Sequence, residues 1–170
     1  MISRSLITNI IEVDLNKVLL ICPKEYTNKI NNVDIIRYDM NKDWIDTINN
    51  VGMEKSLIEL KRYSLYKKVI FTNNINDINT ESVDVSRNMI YSYDCGLEYK
   101  NTESNNVLVN NRLSLKKPNL YNWYSDSLTF DIISNITKKL WEKLEYNHKK
   151  GDVDKFLCYL SMMNIHIEKL

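Results

Sequence analysis

The chain of 170 residues contains no alanine and no glutamine, and only three glycines, two prolines and three cysteines. Each shortage excludes something. With glycine confined to Gly52, Gly96 and Gly151, neither a GxGxxG turn, a P-loop nor a GxSxG elbow can occur. Scarce glycine and proline also argue against long flexible linkers. Cys22, Cys95 and Cys158 are widely spaced and form no CxxC pair, so neither a zinc ribbon nor a disulfide framework is supported. Buried, reduced thiols in a cytoplasmic setting are the expectation. The only histidines are His148 and His166, and no HExxH exists. No cofactor and no metal is expected. Apolar runs stop well short of the roughly 18–20 residues of a membrane span, and residues 1–17 lack a secretory apolar core, so no membrane association is expected. Neither sign of charge dominates, with 23 Lys plus Arg against 22 Asp plus Glu. That balance disfavours duplex nucleic acid, whose binders carry a basic excess.

What is present is isoleucine and asparagine, at 20 and 23 residues. Both take AT-rich codons whereas alanine takes GC-rich ones, so the bias is read as an AT-rich genome rather than as a functional tract. A hydrophobic fraction of 44% and a charged fraction of 26% are ordinary for a folded chain. At this length about 70% of the unfolded surface can be buried without staples. One domain over 1–170 is expected. Without alanine, its helices must rely on buried apolar stripes more than on intrinsic propensity.

Residues 6–13 and 17–22 read as two strands around the polar break Asp14-Leu15-Asn16, an N-terminal hairpin. Val18 to Cys22 is continuously apolar, as in a strand covered on both faces, and Pro23 ends it. Val33 to Tyr38, Lys68 to Thr72 and Met89 to Tyr93 are further strands, with a weaker one at Val107–Val109. Asp43 caps a short helix through Trp44, Ile45 and Ile48. A second helix is predicted over 53–66 on the stripe Met53, Leu57, Leu60 and Ser64, with Glu54, Lys55, Glu59, Lys61 and Arg62 on its solvated face. Residues 73–87 read as a polar loop, and 110–126 yield no assignment. Asp126 or Ser127 caps a helix over 127–147 with the stripe Ile132, Ile133, Ile136, Leu140 and Leu144. Gly151 breaks it, and a helix over 152–163 carries Val153, Phe156, Leu157, Leu160 and Met163. Ile165 to Glu168 alternates like a closing strand. The fold class is α/β or α+β, a single mixed domain with a central sheet of about 4–6 strands. A helix–helix–strand unit spans 126–170; its order is similar to the later part of a winged-helix unit, which binds nucleic acid or an extended peptide.

Three function classes compete. The leading one is a non-catalytic binding or accessory subunit that docks a protein or peptide partner. Its candidate surface is Tyr121, Trp123 and Tyr124 beside Lys116-Lys117-Pro118, against the plainer reading that these rings pack a loop onto the sheet. The alternative is a small enzyme whose site follows the strand ending at Tyr93, with Asp94, Cys95 and Glu98 beside the turn glycine Gly96. Neighbouring carboxylates raise a thiol pKa, the wrong direction for a nucleophile. The third is a weak nucleic-acid site on Lys138, Lys139, Lys143, Lys149 and Lys150. Asp34, Asp39, Asp43 and Asp46 are carboxylates of the type that binds a divalent cation, but their spacing fits no EF-hand.

Overall fold

The structure is a computed structural model that describes residues 17–80, 85–93, 95–96, 117–118, 120–143, 156 and 159–170. In chain order its strands are β1 (Val18–Pro23), β2 (Val33–Tyr38), β3 (Lys68–Thr72), β4 (Met89–Ser92), β5 (Cys95–Gly96), β6 (Lys117–Pro118), β7 (Asn122–Ser125) and β8 (His166–Lys169). Helix α1 (Trp44–Arg62) lies between β2 and β3, and helix α2 (Ser127–Lys143) follows β7. A third helical stretch is described at residues 156 and 159–162. Among the described residues no helix is long and apolar enough to cross a membrane.

Six strands form one mixed sheet in the order β2-β1-β3-β7-β4-β8, and β5 pairs with β6 in a separate ribbon. This is the expected mixed domain with a central sheet. β1 is parallel to both β2 and β3, with Leu20 opposite Ile35 on one side and Ile70 on the other. Residues 24–32 join β1 to β2. They run over the sheet face that carries Val18, Leu20 and Cys22, where Tyr26 and Ile30 pack. The Arg37 guanidinium holds this connection by donating to the carbonyls of Tyr26, Thr27 and Asn28. The first arm of the expected hairpin, 6–13, lies outside the described residues, as does the weak strand 107–109.

The sheet separates two cores. Leu19, Ile21, Ile36, Val69, Phe71 and Trp123 face the helices; Val18, Leu20, Cys22, Ile70 and Tyr124 face the loops. That division follows from period two along each strand. It explains why β1 and the middle of β3, Val69 to Phe71, are apolar without a break. α2 buries Phe130, Ile133 and Ile136, while Phe156 and Leu160 of the third helical stretch join the same core. Asp126 caps α2 by accepting the Thr129 N–H at 2.8 Å. Met163, expected on the buried stripe, is exposed, because the chain has already turned toward β8 there.

Residues 44–62 correct the sequence reading most. One helix replaces the expected pair, passing through Gly52 without a break. Its buried positions are Trp44, Ile45, Thr47, Ile48, Val51, Gly52, Lys55 and Glu59. Met53, Leu57 and Leu60, expected to point inward, are 65%, 57% and 68% exposed. The helix has therefore kept the phase set by Trp44 and Ile48. It buries an ion pair where an apolar stripe was expected.

Candidate functional site

α1 and α2 pack antiparallel along a polar seam. The Thr137 hydroxyl donates to Asn49 Oδ1 at 2.7 Å, and Lys55 Nζ reaches Asp131 Oδ1 at 2.9 Å. The Ser127 hydroxyl donates to Glu59 Oε1. Between these contacts a Cβ built on Gly52 would lie 2.0 Å from Ser134 Oγ. A residue without a side chain is what lets the two backbones approach this closely.

Lys55 and Glu59 are the heart of the seam. Lys55 Nζ contacts Glu59 Oε2 at 3.0 Å, one helical turn away, as well as Asp131. Glu59 Oε1 also accepts the backbone N–H of Tyr66 at 3.1 Å, which ties the end of α1 to the start of β3. A buried charge is tolerated only when paired and hydrogen-bonded, and here both conditions are met. A second polar cluster lies at the C-terminal end of α1. Arg62 Nη1 contacts Asp34 Oδ2 at 2.6 Å, and Tyr66 donates to the same oxygen at 2.8 Å. Lys17 adds a third contact to Asp34 at 3.4 Å. Arg62 Nε and Nη2 find no acceptor among the described residues.

Outside the seam runs an open groove of about 910 Å³. Met53, Leu57 and Leu60, with Ser56 among them, form its α1 wall, while Asp131, Ser134, Asn135 and Lys138 form the α2 wall. Asp46, Asn49 and Asn50 line the end nearest the start of α1. The groove is thus apolar on one side and hydrogen-bonding on the other. Its apolar wall is the stripe expected in the core.

The residues singled out from sequence are dispersed. Trp123 is 2% exposed in the middle of β7 and stacks between Phe71 and Phe130 at 5.7 and 5.5 Å. Its indole N–H donates to the Leu120 carbonyl, which the Trp44 indole also uses. Tyr124 faces the opposite side of the sheet and stacks on Tyr91 at 4.7 Å. Of the aromatic trio only Tyr121 is exposed, while Trp123 and Tyr124 are packed into the two cores. Cys95 pairs with Pro118 in the small ribbon, while Asp94 and Glu98 lie outside the described residues. Lys138 and Lys139 are exposed on α2, and Lys149 and Lys150 lie outside the described residues. Asp39 accepts the Asn41 N–H, Asp43 caps α1 through the Ile45 N–H, and Asp34 is held by Arg62. Among the described residues no cluster of metal-ligating side chains forms.

Open α/β sheets place ligands at the carboxyl ends of parallel strands, where the strand order reverses. In this sheet that position lies between β1 and β3 and is occupied by side chains. Tyr38 stacks on Phe71 at 5.1 Å and donates to the Thr72 carbonyl, and Tyr121 covers Phe71 from the β7 side. Burial raises the hydroxyl pKa of both tyrosines, and it likewise raises that of the Cys22 thiol. These groups stay protonated at neutral pH, and the two tyrosines fill the crevice while Cys22 packs on the loop-facing side of the sheet.

The groove had a sequence signal that was easy to misassign. Trp44, Ile48, Val51 and Lys55 continue one helical phase, whereas Met53, Leu57 and Leu60 start another. An (i, i+4) Lys55–Glu59 pair is usually a surface feature. Nothing local announces that Asp131, 76 positions away, will come to meet it. Comparison with family models, with curated proteins and with solved structures finds no match to this chain, so its groove and seam stand as its own description.

Proposed function

We propose that the chain is a non-catalytic binding subunit that docks a protein partner on the groove between α1 and α2. One observation carries this reading: Met53, Leu57 and Leu60 are exposed together on a helix that buries Lys55 and Glu59 instead. Scattered exposed leucines need no explanation, but an aligned apolar row beside a groove is the form a helix-binding surface takes. Covering each of these side chains gains about 1–2 kcal/mol, the scale of an anchoring contact. The α2 wall supplies Asp131, Asn135 and Lys138 to orient what the apolar wall holds. Catalysis has less to rest on, since the crevice at the carboxyl ends of β1 and β3 is filled by Tyr38 and Tyr121.

Photocrosslinking tests the reading. A photoreactive residue at Leu57, introduced in cells that make the protein, is expected to give one discrete protein adduct. The same residue at the exposed Lys24 gives none, and Leu60→Asp abolishes the Leu57 adduct while the circular dichroism spectrum is unchanged. Equal labelling from both positions, or none from Leu57, rejects docking at the groove.

A further inference from the structure

The apolar wall of the groove continues onto the outward side of α1, whose internal symmetry names its occupant. The outward side of α1 carries Met53, Leu57 and Leu60, and next to them the exposed Glu54 and Lys61. On a helical wheel Met53 and Leu60 lie to one side of Leu57, whereas Glu54 and Lys61 lie to the other. A second α1 laid antiparallel across a two-fold axis at Leu57 would set Leu57 against its counterpart and Met53 against the other copy's Leu60. The same operation would set Glu54 of each copy against Lys61 of the other. The apolar side then meets apolar and each carboxylate meets an ammonium, the self-complementarity that an isologous interface requires. Neither Glu54 nor Lys61 makes an ion pair among the described residues.

From this we infer that a second copy of the chain occupies the face, in a two-fold dimer built on antiparallel α1 helices. The inference rests on the docking reading and specifies its partner. A helix of 19 residues is about 28 Å long. One helix-to-helix contact of that length falls short of the ~800 Å² per partner of a stable complex, so the dimer is weak and concentration-dependent.

Sedimentation of the full chain between about 5 and 500 μM tests it, a range that brackets micromolar affinity. A reversible monomer–dimer equilibrium is expected, weakened about tenfold or more by Leu57→Asp, a change equivalent to one decade in Kd. Glu54→Lys and Lys61→Glu should each weaken it by a similar factor. The double variant Glu54→Lys/Lys61→Glu restores both cross-pairs and should return to within about threefold of wild type. A chain that stays monomeric throughout overturns the inference. So does a dimer indifferent to Leu57→Asp, or one in which the charge swap gives no rescue. A monomer whose Leu57 still crosslinks to a different protein sinks the dimer but leaves the docking reading standing, so the two failures are distinguishable.

Discussion

Replacing Lys55 with methionine removes the cation that two carboxylates share. Glu59 would keep the Tyr66 N–H and the Ser127 hydroxyl as donors, while Asp131, one-third exposed, can turn toward water. The uncompensated charge is therefore Glu59, buried beneath the seam. Breaking one side of a buried pair costs about 3–5 kcal/mol, and methionine recovers part of the lost packing, so about 3 kcal/mol is expected for Lys55→Met. Glu59→Gln in the same background discharges the stranded group, and its carbonyl still accepts from Tyr66 and Ser127. The double variant should regain about 1–2 kcal/mol relative to Lys55→Met, because an unpaired charge has become a hydrogen-bonded amide. Urea unfolding measures this, provided that the slope with denaturant stays constant across the four proteins. A loss below about 1 kcal/mol for Lys55→Met, or strict additivity of the two changes, would refute the reasoning that the pair is buried and coupled.

Other outcomes follow from the same packing. Gly52→Ala normally stabilises a helix interior by about 1 kcal/mol, but here its Cβ meets Ser134, so a loss of about 1–3 kcal/mol is expected in thermal unfolding, with recovery in Gly52→Ala/Ser134→Gly. Trp123→Ala removes a ring from the centre of the sheet and should cost about 3–5 kcal/mol in urea unfolding, whereas a partner-facing ring would cost almost nothing. Burial raises the pKa of Tyr38, Tyr66 and Tyr93, the last to about 12. A raised folded-state pKa means that stability is complete below the unfolded value near 10 and is lost as pH climbs above it. Melting temperatures should hold on approaching roughly pH 10 and fall beyond it; a fall that begins near pH 8 would contradict the assignment.

The strands were legible where burial on both faces left an unbroken apolar run. β1 and β3 fall within a residue of where Val18–Cys22 and Lys68–Thr72 place them. β7 was not legible. Its four residues, Asn-Trp-Tyr-Ser, split their two rings between the two cores, and so short a segment looks like a loop until β3 and β4 pair with it. Strand order was beyond reach for a similar reason: β8 joins β4 across a long sequence gap, and no local pattern encodes that. α2 followed its Ile133 and Ile136 stripe, but α1 offered two competing phases. Hydrophobicity alone favoured Met53, Leu57 and Leu60. The observed phase continues Trp44 and Ile48 and places Glu59 where it collects donors from Lys55, Tyr66 and Ser127, contacts that exist only after folding. The candidate site was hidden by the same misassignment, since its apolar wall was counted as core.

The unfolding free energy of Leu57→Asp tests the orientation of α1 most directly, measured at a protein concentration low enough to keep the chain monomeric. With Leu57 facing outward, the substitution should change stability by no more than about 0.5 kcal/mol, as surface substitutions do. A loss of about 3 kcal/mol or more would mean that Leu57 is in the core, and the inverted helix, its groove and the docking surface would fall together.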